Sequence, residues 1–236
     1  MSLDTDRAWA AFREHVPWFV HQRPNARPAR TLPPGSWTPR SAEFRPLFPE
    51  LADLLAEASL TEVRLLSELW VLYTWEPRDR EYRGWLSPRG RAMPDGLHPH
   101  HRVLLESFGG IVESFGDPGS WIHSHADVLT ATAAERDATF IEAYAWAFEE
   151  TGDIPIDLEA YYVVAEEVNG NATLCHRRHG DVLLFAPDHD FDHVEVLEGC
   201  PEYSLYTCHG APTLASWVNH VAKQWRTPSD HRPPTA

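Results

Sequence analysis

Tyr161-Tyr-Val-Val-Ala-Glu-Glu-Val-Asn-Gly-Asn-Ala-Thr-Leu-Cys-His-Arg-Arg-His-Gly-Asp-Val-Leu-Leu-Phe-Ala186 is the stretch on which the fold turns. Tyr161 to Val164 are strong strand formers. Asn169-Gly170 are two residues that tolerate positive φ, which a two-residue type I′ turn requires. Residues 171–176 then return as the partner strand. His179-Gly180-Asp181 turns the chain again, and Val182 to Ala186 forms a short apolar strand of the kind buried on both faces. Three strands joined by tight turns make a meander, and the other segments read as helices and strands packed around it. The fold class is therefore α+β, a mostly antiparallel sheet with helices around it.

Outward from the meander, helical and strand patterns alternate. Residues 4–16 place Trp9, Phe12 and Val16 along one side of a short helix. Residues 22–46 interleave six prolines with Arg23, Arg27, Arg30, Arg40 and Arg45. Proline fixes φ and removes a donor, so this reads as an extended basic arm, wrapped on the acidic body or mobile, with partner recruitment as the alternative. Phe48 to Ala58 carries Leu51, Leu54 and Leu55 at helical spacing. Ser59-Leu-Thr-Glu62 has the form of a capping box, and Leu65, Leu66, Leu69, Leu72 and Tyr73 make an apolar stripe behind it, predicting a second helix. Residues 78–96 are turn-rich, with a short strand near 82–86. Residues 97–108 predict a helix with Leu104, Leu105 and Phe108 inward, stopped by Gly109-Gly110 and followed by a strand over 111–115. Thr132-Ala-Ala-Glu135 predicts a helix running to about Glu150. Strands are expected at 193–197 and 203–206. A last helix starts near Pro212, with Leu214, Trp217, Val218, Val221 and Trp225 as its stripe. The organisation expected is an arm (1–46), one domain (47–226) and a Pro-rich tail (227–236).

Composition limits the function classes. Hydrophobic residues make up 43% of the chain and ten are Trp, enough for a substantial core. No apolar run approaches the about 18 residues of a membrane span, and the first residues lack a secretory pattern, so a cytoplasmic location is expected. Three cysteines (Cys175, Cys200, Cys208) without metal-type pairing read as free thiols. The formal net charge of −15 argues against nucleic acid and suits a basic protein partner, besides keeping the chain soluble. Fourteen histidines would make charge-driven contacts sensitive to pH.

Among local motifs, His123-Ser-His125-Ala-Asp127 comes closest to a metal site. On a strand it would put His123, His125 and Asp127 on one face, and imidazole and carboxylate are zinc and iron ligands. It resembles the His-x-His-x-Asp-His of the metallo-β-lactamase fold, with Val128 where the next His would stand. His98-Pro-His100-His101 is expected as exposed polar side chains before a helix. Asp188-His-Asp-Phe-Asp-His193 lacks the Gly and closing Glu of a calcium loop. No nucleophile elbow, phosphate-cradling Gly-Lys-Ser/Thr or dinucleotide fingerprint occurs, so no cofactor is expected. The acidic residues Asp188, Asp190, Asp192 and Glu195 are the candidate centre for a basic partner.

The order of features resembles the SUKH superfamily, the Smi/Knr-type proteins. The residues that carry the likeness are Arg102-Val-Leu-Leu-Glu-Ser-Phe-Gly-Gly-Ile111, Val164-Ala-Glu-Glu-Val-Asn-Gly-Asn-Ala172, Gly180-Asp-Val-Leu-Leu-Phe-Ala-Pro-Asp-His189 and Ala211-Pro-Thr-Leu-Ala-Ser-Trp-Val-Asn-His220. They match that family's helix–Gly-Gly–strand, its hairpin, its Gly-x-Val strand and its final amphipathic helix. Where the family has Leu-Pro-x-x-Tyr, this chain reads Leu97-His-Pro-His-His101. The resemblance implies a non-catalytic α+β binding domain. Many bacterial members are immunity proteins that neutralise toxins, and others are regulators or scaffolds. A metal-dependent hydrolase using His123, His125 and Asp127 is the competing reading from the residues themselves.

Overall fold

A computed structural model describes residues 3–65, 68–76, 82–121, 125–149, 151–167, 169–188 and 193–227. It is an α+β fold built on two antiparallel sheets. The first sheet has five strands in sequential order: β1 (Arg27–Leu32), β2 (Ser59–Leu65), β3 (Glu68–Trp75), β4 (Arg83–Pro88) and β5 (Glu113–Phe115). The hairpin β2–β3 stands where the apolar stripe of 59–73 predicts a helix. The reason is two-sided burial. Along β3, Trp70 and Leu72 face one layer of core while Val71, Tyr73 and Trp75 face the other. A run buried on both faces satisfies a helical stripe as readily as a strand, and only its wealth of Trp, Val, Tyr and Thr argues for the strand. Leu66 lies outside the described residues.

The segment expected as an extended basic arm is built into this sheet. Arg27–Leu32 is its edge strand, and α1 (Leu3–His15) and α2 (Pro17–Gln22) cover one face, with Trp9, Phe12 and Phe19 packed on Trp70, Leu72 and Phe115. Pro28 sits at a bulge on that edge, where a missing N–H costs no ladder bond. Trp37 and Phe44, the latter in the short helix α3 (Phe44–Leu47), are buried in the opposite layer, so the core has no boundary at residue 46. Of the tail, residues 228–236 lie outside the described part.

The second sheet has the order β10-β11-β9-β8-β7-β6. Its strands are β6 (His125–Val128), β7 (Tyr161–Glu167), β8 (Ala172–His176), β9 (Val182–Phe185), β10 (Val194–Val196) and β11 (Leu205–Cys208). The meander β7–β8–β9 forms as the sequence predicts, but its first turn is longer than the type I′ form. Of its described residues only Gly170 takes positive φ (99°); its N–H donates to the Glu167 carbonyl (3.1 Å) and the Glu167 N–H to the Asn171 carbonyl (2.9 Å). That is the three-residue loop with a left-handed glycine. The helix expected over 132–150 is broken in two: α6 (Ala131–Ala134) is capped by Thr130, and a 3-10 segment, Ala138–Phe148, is restarted by Asp137, which accepts from the Thr139 N–H (3.0 Å). A side chain that offers the backbone a fresh cap interrupts the helix before it.

α4 (Pro49–Glu57), α5 (Pro99–Ser107) and α7 (Leu214–Arg226) form where the sequence predicts helices and pack into the hydrophobic core that both sheets share. The α7 stripe Leu214, Trp217, Val218, Val221 and Trp225 is buried, and Thr213 with Ser216 closes a capping box. Trp225 meets Trp75 and Trp85 edge-on, joining α7 to the first sheet. Among the described residues no helix is long and apolar enough to cross a membrane.

Gly109-Gly110 does more than stop α5. Ile111 exchanges two backbone hydrogen bonds with Val128 (2.7 and 2.8 Å), so the two sheets meet there. A Cβ on Gly109 would stand 2.0 Å from the Pro88 carbonyl oxygen, and one on Gly110, whose φ is +86°, 2.6 Å from that of Leu129. The seam requires two residues without side chains because backbone presses on it from both sheets.

Candidate functional site

Of the metal candidates, Asp127 alone has a described side chain. His123 lies outside the described residues, and so does the side chain of His125. Asp127 sits half-buried on β6, opposite Glu166 on β7. Its Oδ1 accepts from the Thr130 hydroxyl at 2.9 Å, and burial holds its carboxyl above the usual carboxylate range. Glu166 in turn is held by Arg136. Among the described residues no group of three His, Cys, Asp or Glu is placed to hold a metal ion.

His98-Pro-His100-His101 departs from the exposed array the sequence suggests. His98 is buried and caps α5, its Nδ1 accepting from the His100 N–H at 3.3 Å. His101 is fully buried at the seam. Its Nδ1 lies 3.1 Å from the Tyr162 hydroxyl and its Nε2 3.1 Å from the Leu129 carbonyl. A carbonyl can only accept, so Nε2 carries the proton and Nδ1 accepts from the tyrosine. These histidines clip α5 to the second sheet, and the missed signal was the place of His101 one turn from the buried Leu104.

Of the acidic candidates, Asp188 and Glu195 lie among the described residues, both in the second sheet's loops and edge. Glu195 is exposed on β10, the edge strand, 3.7 Å from His209. Asp188 follows β9 and accepts from the Asn169 side-chain amide at 2.9 Å, tying the β7–β8 loop to the loop after β9. Asp190 and Asp192 lie outside the described residues. The three cysteines are free, as expected, and burial pushes the Cys175 thiol up to about 12 and the Cys208 thiol to about 11, so neither is a ready thiolate.

A cleft that sequence reasoning did not assemble opens on the face of the first sheet turned toward α5. Its volume is about 470 Å³. Cross-strand register builds the floor. Leu32, Leu60 and Tyr73 form one row, and Arg30, Glu62 and Ser87 lie along the next. The 36–40 loop forms one wall, the end of α5 another, and the 89–93 loop after β4 forms the rim. Four arginines line it, Arg30, Arg40, Arg89 and Arg91, against two carboxylates, Glu62 and Glu106. Arg30 is committed to Glu62 by two bonds of 2.9 and 2.8 Å, which hold that carboxyl below its usual range; Arg89 and Arg64 add to the effect. Arg91 makes a loose contact with Glu68 at 3.7 Å, and Arg89 reaches the buried Tyr73 hydroxyl. The Ser107 hydroxyl accepts from the N–H groups of Arg40 (2.9 Å) and Ser41 (3.3 Å), which leaves its own hydrogen to donate. The available signal was the local run of arginine in an acidic chain. What sequence could not supply is the folding of 30 and 40 onto 89 and 91.

Comparison of the chain with family models, with curated proteins and with solved structures finds no match.

Proposed function

We propose that this chain is a non-catalytic, cytoplasmic protein-binding domain of SUKH type, and that its partner is a basic toxin domain which it neutralises. The observation that carries the reading is how the resembling segments are used. Phe108 and Ile111 beside the Gly-Gly, Val164 of the hairpin, Val182 and Leu184 of the Gly-x-Val strand, and Trp217 and Val218 of the last helix share one hydrophobic core. The glycines answer backbone contacts, and Gly180 packs against His98, where an added Cβ would come within 2.8 Å. Each segment thus has a structural duty, as expected of motifs that define a scaffold. The sites for function then fall to loops and edges, and here these are acidic at Asp188 and Glu195. A net charge of −15 would speed encounter with a cationic partner and make it sensitive to salt.

The test is protection. A toxin domain encoded beside this chain is expressed in cells with and without it, and the purified pair is titrated. The expected result is survival and a one-to-one complex whose affinity falls with ionic strength. Death of the co-expressing cells, with no complex at micromolar concentration (about −8 kcal/mol of binding), would remove the immunity reading.

A further inference from the structure

We propose that the arginine-lined cleft on the first sheet binds a phosphate group. The chain carries 20 Lys and Arg against 35 Asp and Glu, yet four arginines converge here on two glutamates. The arginines come from two separate stretches, the edge strand with the loop after it and the loop after β4, and the end of α5 adds Ser107. One of the four, Arg30, is neutralised by Glu62. Among the described residues the Arg40 guanidinium has no ion-pair or hydrogen-bond partner, while Arg91 holds Glu68 only at 3.7 Å. Arg89 stands over the floor at Tyr73. Guanidinium forks match the oxygens of a phosphate two at a time. The Ser107 hydroxyl, with both incoming N–H bonds already accepted, has a hydrogen left to donate.

Several donors at the rim of one cavity suit an anion with more acceptor oxygens than a single carboxylate. A cavity of about 470 Å³ is the size of a small-molecule site. Leu32, Leu105 and Met93 in its lining give an apolar surface for the group that bears the phosphate. Because the rest of the chain is acidic, the long-range field repels anions. Binding depends on these short contacts, and the cleft excludes acidic ligands that cannot reach them. The same chemistry arrives in a free nucleotide or in a phosphorylated side chain of a protein.

Calorimetric titration of the full chain with inorganic pyrophosphate tests the site. Saturable binding with a Kd at or below about 1 mM is expected. Arg40→Ala combined with Arg91→Ala should weaken it by about tenfold or more. Both side chains are exposed, so thermal unfolding should be unaltered, and Arg13→Ala, exposed on α1 against the opposite face of the first sheet, should bind as wild type. Tighter binding of ADP than of pyrophosphate would identify a free small molecule as the source. Tighter binding of a phosphoserine peptide would identify a protein-borne phosphate. No saturation up to about 10 mM pyrophosphate, or a double variant that binds as wild type, overturns the proposal.

Discussion

Lowering the pH should unfasten the two sheets through one residue, His101. Its imidazole is neutral, with Nε2–H donating to the Leu129 carbonyl and Nδ1 accepting from Tyr162, both at 3.1 Å. Burial, the largest influence, pushes its pKa from 6.5 down to about 4; nearby His98 adds to this, while the bond to Leu129 opposes it. Above about pH 6.5 neither the folded nor the unfolded chain protonates this group, and it adds no pH dependence. As the pH falls from there, the unfolded chain takes up a proton that the folded one refuses. Stability is lost progressively until about pH 4. The span of about 2.5 pH units corresponds to about 3 kcal/mol, at about 1.36 kcal/mol per unit. That is a large part of the 5–15 kcal/mol typical of a folded domain, roughly a fifth to three-fifths. The assay is urea unfolding of wild type and His101→Phe, from about pH 7.5 to about pH 4 at constant ionic strength. Near neutrality the variant should be less stable, because it strands the Tyr162 hydroxyl and the Leu129 carbonyl at about 1–3 kcal/mol each. Towards pH 4 the gap should shrink by about 3 kcal/mol as the wild type loses its advantage. Other titrating groups act on both proteins and cancel in the difference. A gap that stays constant across the range refutes the reasoning.

Three further outcomes are expected. Gly110→Ala should cost about 2–4 kcal/mol in denaturant unfolding, from positive-φ strain together with the clash on Leu129; a loss under about 0.5 kcal/mol would mean the seam gives way freely. Burial raises the Glu113 carboxyl to about 8, with Asp127 adding to the effect and Arg23 opposing it. Since its folded pKa lies above the unfolded value of 4.5, Glu113 costs stability as the pH climbs from there through about 8; Glu113→Gln should therefore raise the melting temperature at alkaline pH and leave it unchanged near pH 4, and equal shifts at both would contradict this. Asp188→Lys with Glu195→Lys should weaken binding of a basic toxin domain and flatten its salt dependence, as read by titration at two ionic strengths; unchanged affinity would move the contact elsewhere.

What was legible in the residues divides by the range of the interactions involved. The meander over 161–186 and the helices at 49–57, 99–107 and 214–226 are written locally, in strand formers, turn glycines, caps and apolar stripes. Local steric preference and one-sided burial act within a few residues of each position. The β2–β3 hairpin was not legible. Its Trp and Leu residues are buried on both faces, and the layer that covers the outer face comes from the N-terminal helices. The Pro/Arg segment misled for the same reason. Its prolines exclude a helix, but an edge strand needs a partner to be seen.

The sequence alone determined the α+β class, the meander and its flanking helices, the free thiols and the acid excess, because these follow from composition or from neighbours along the chain. Tertiary structure alone decided the rest. Gly109-Gly110 became a seam because Pro88 and Leu129 press on it from two sheets. His101 became a buried neutral ligand of Tyr162 and Leu129 because α5 packs into that seam. Arg30, Arg40, Arg89 and Arg91 became one cleft because a strand edge and two loops converge on the same sheet face. Each depends on groups brought together from distant parts of the chain, and spacing along the sequence carries no record of that approach.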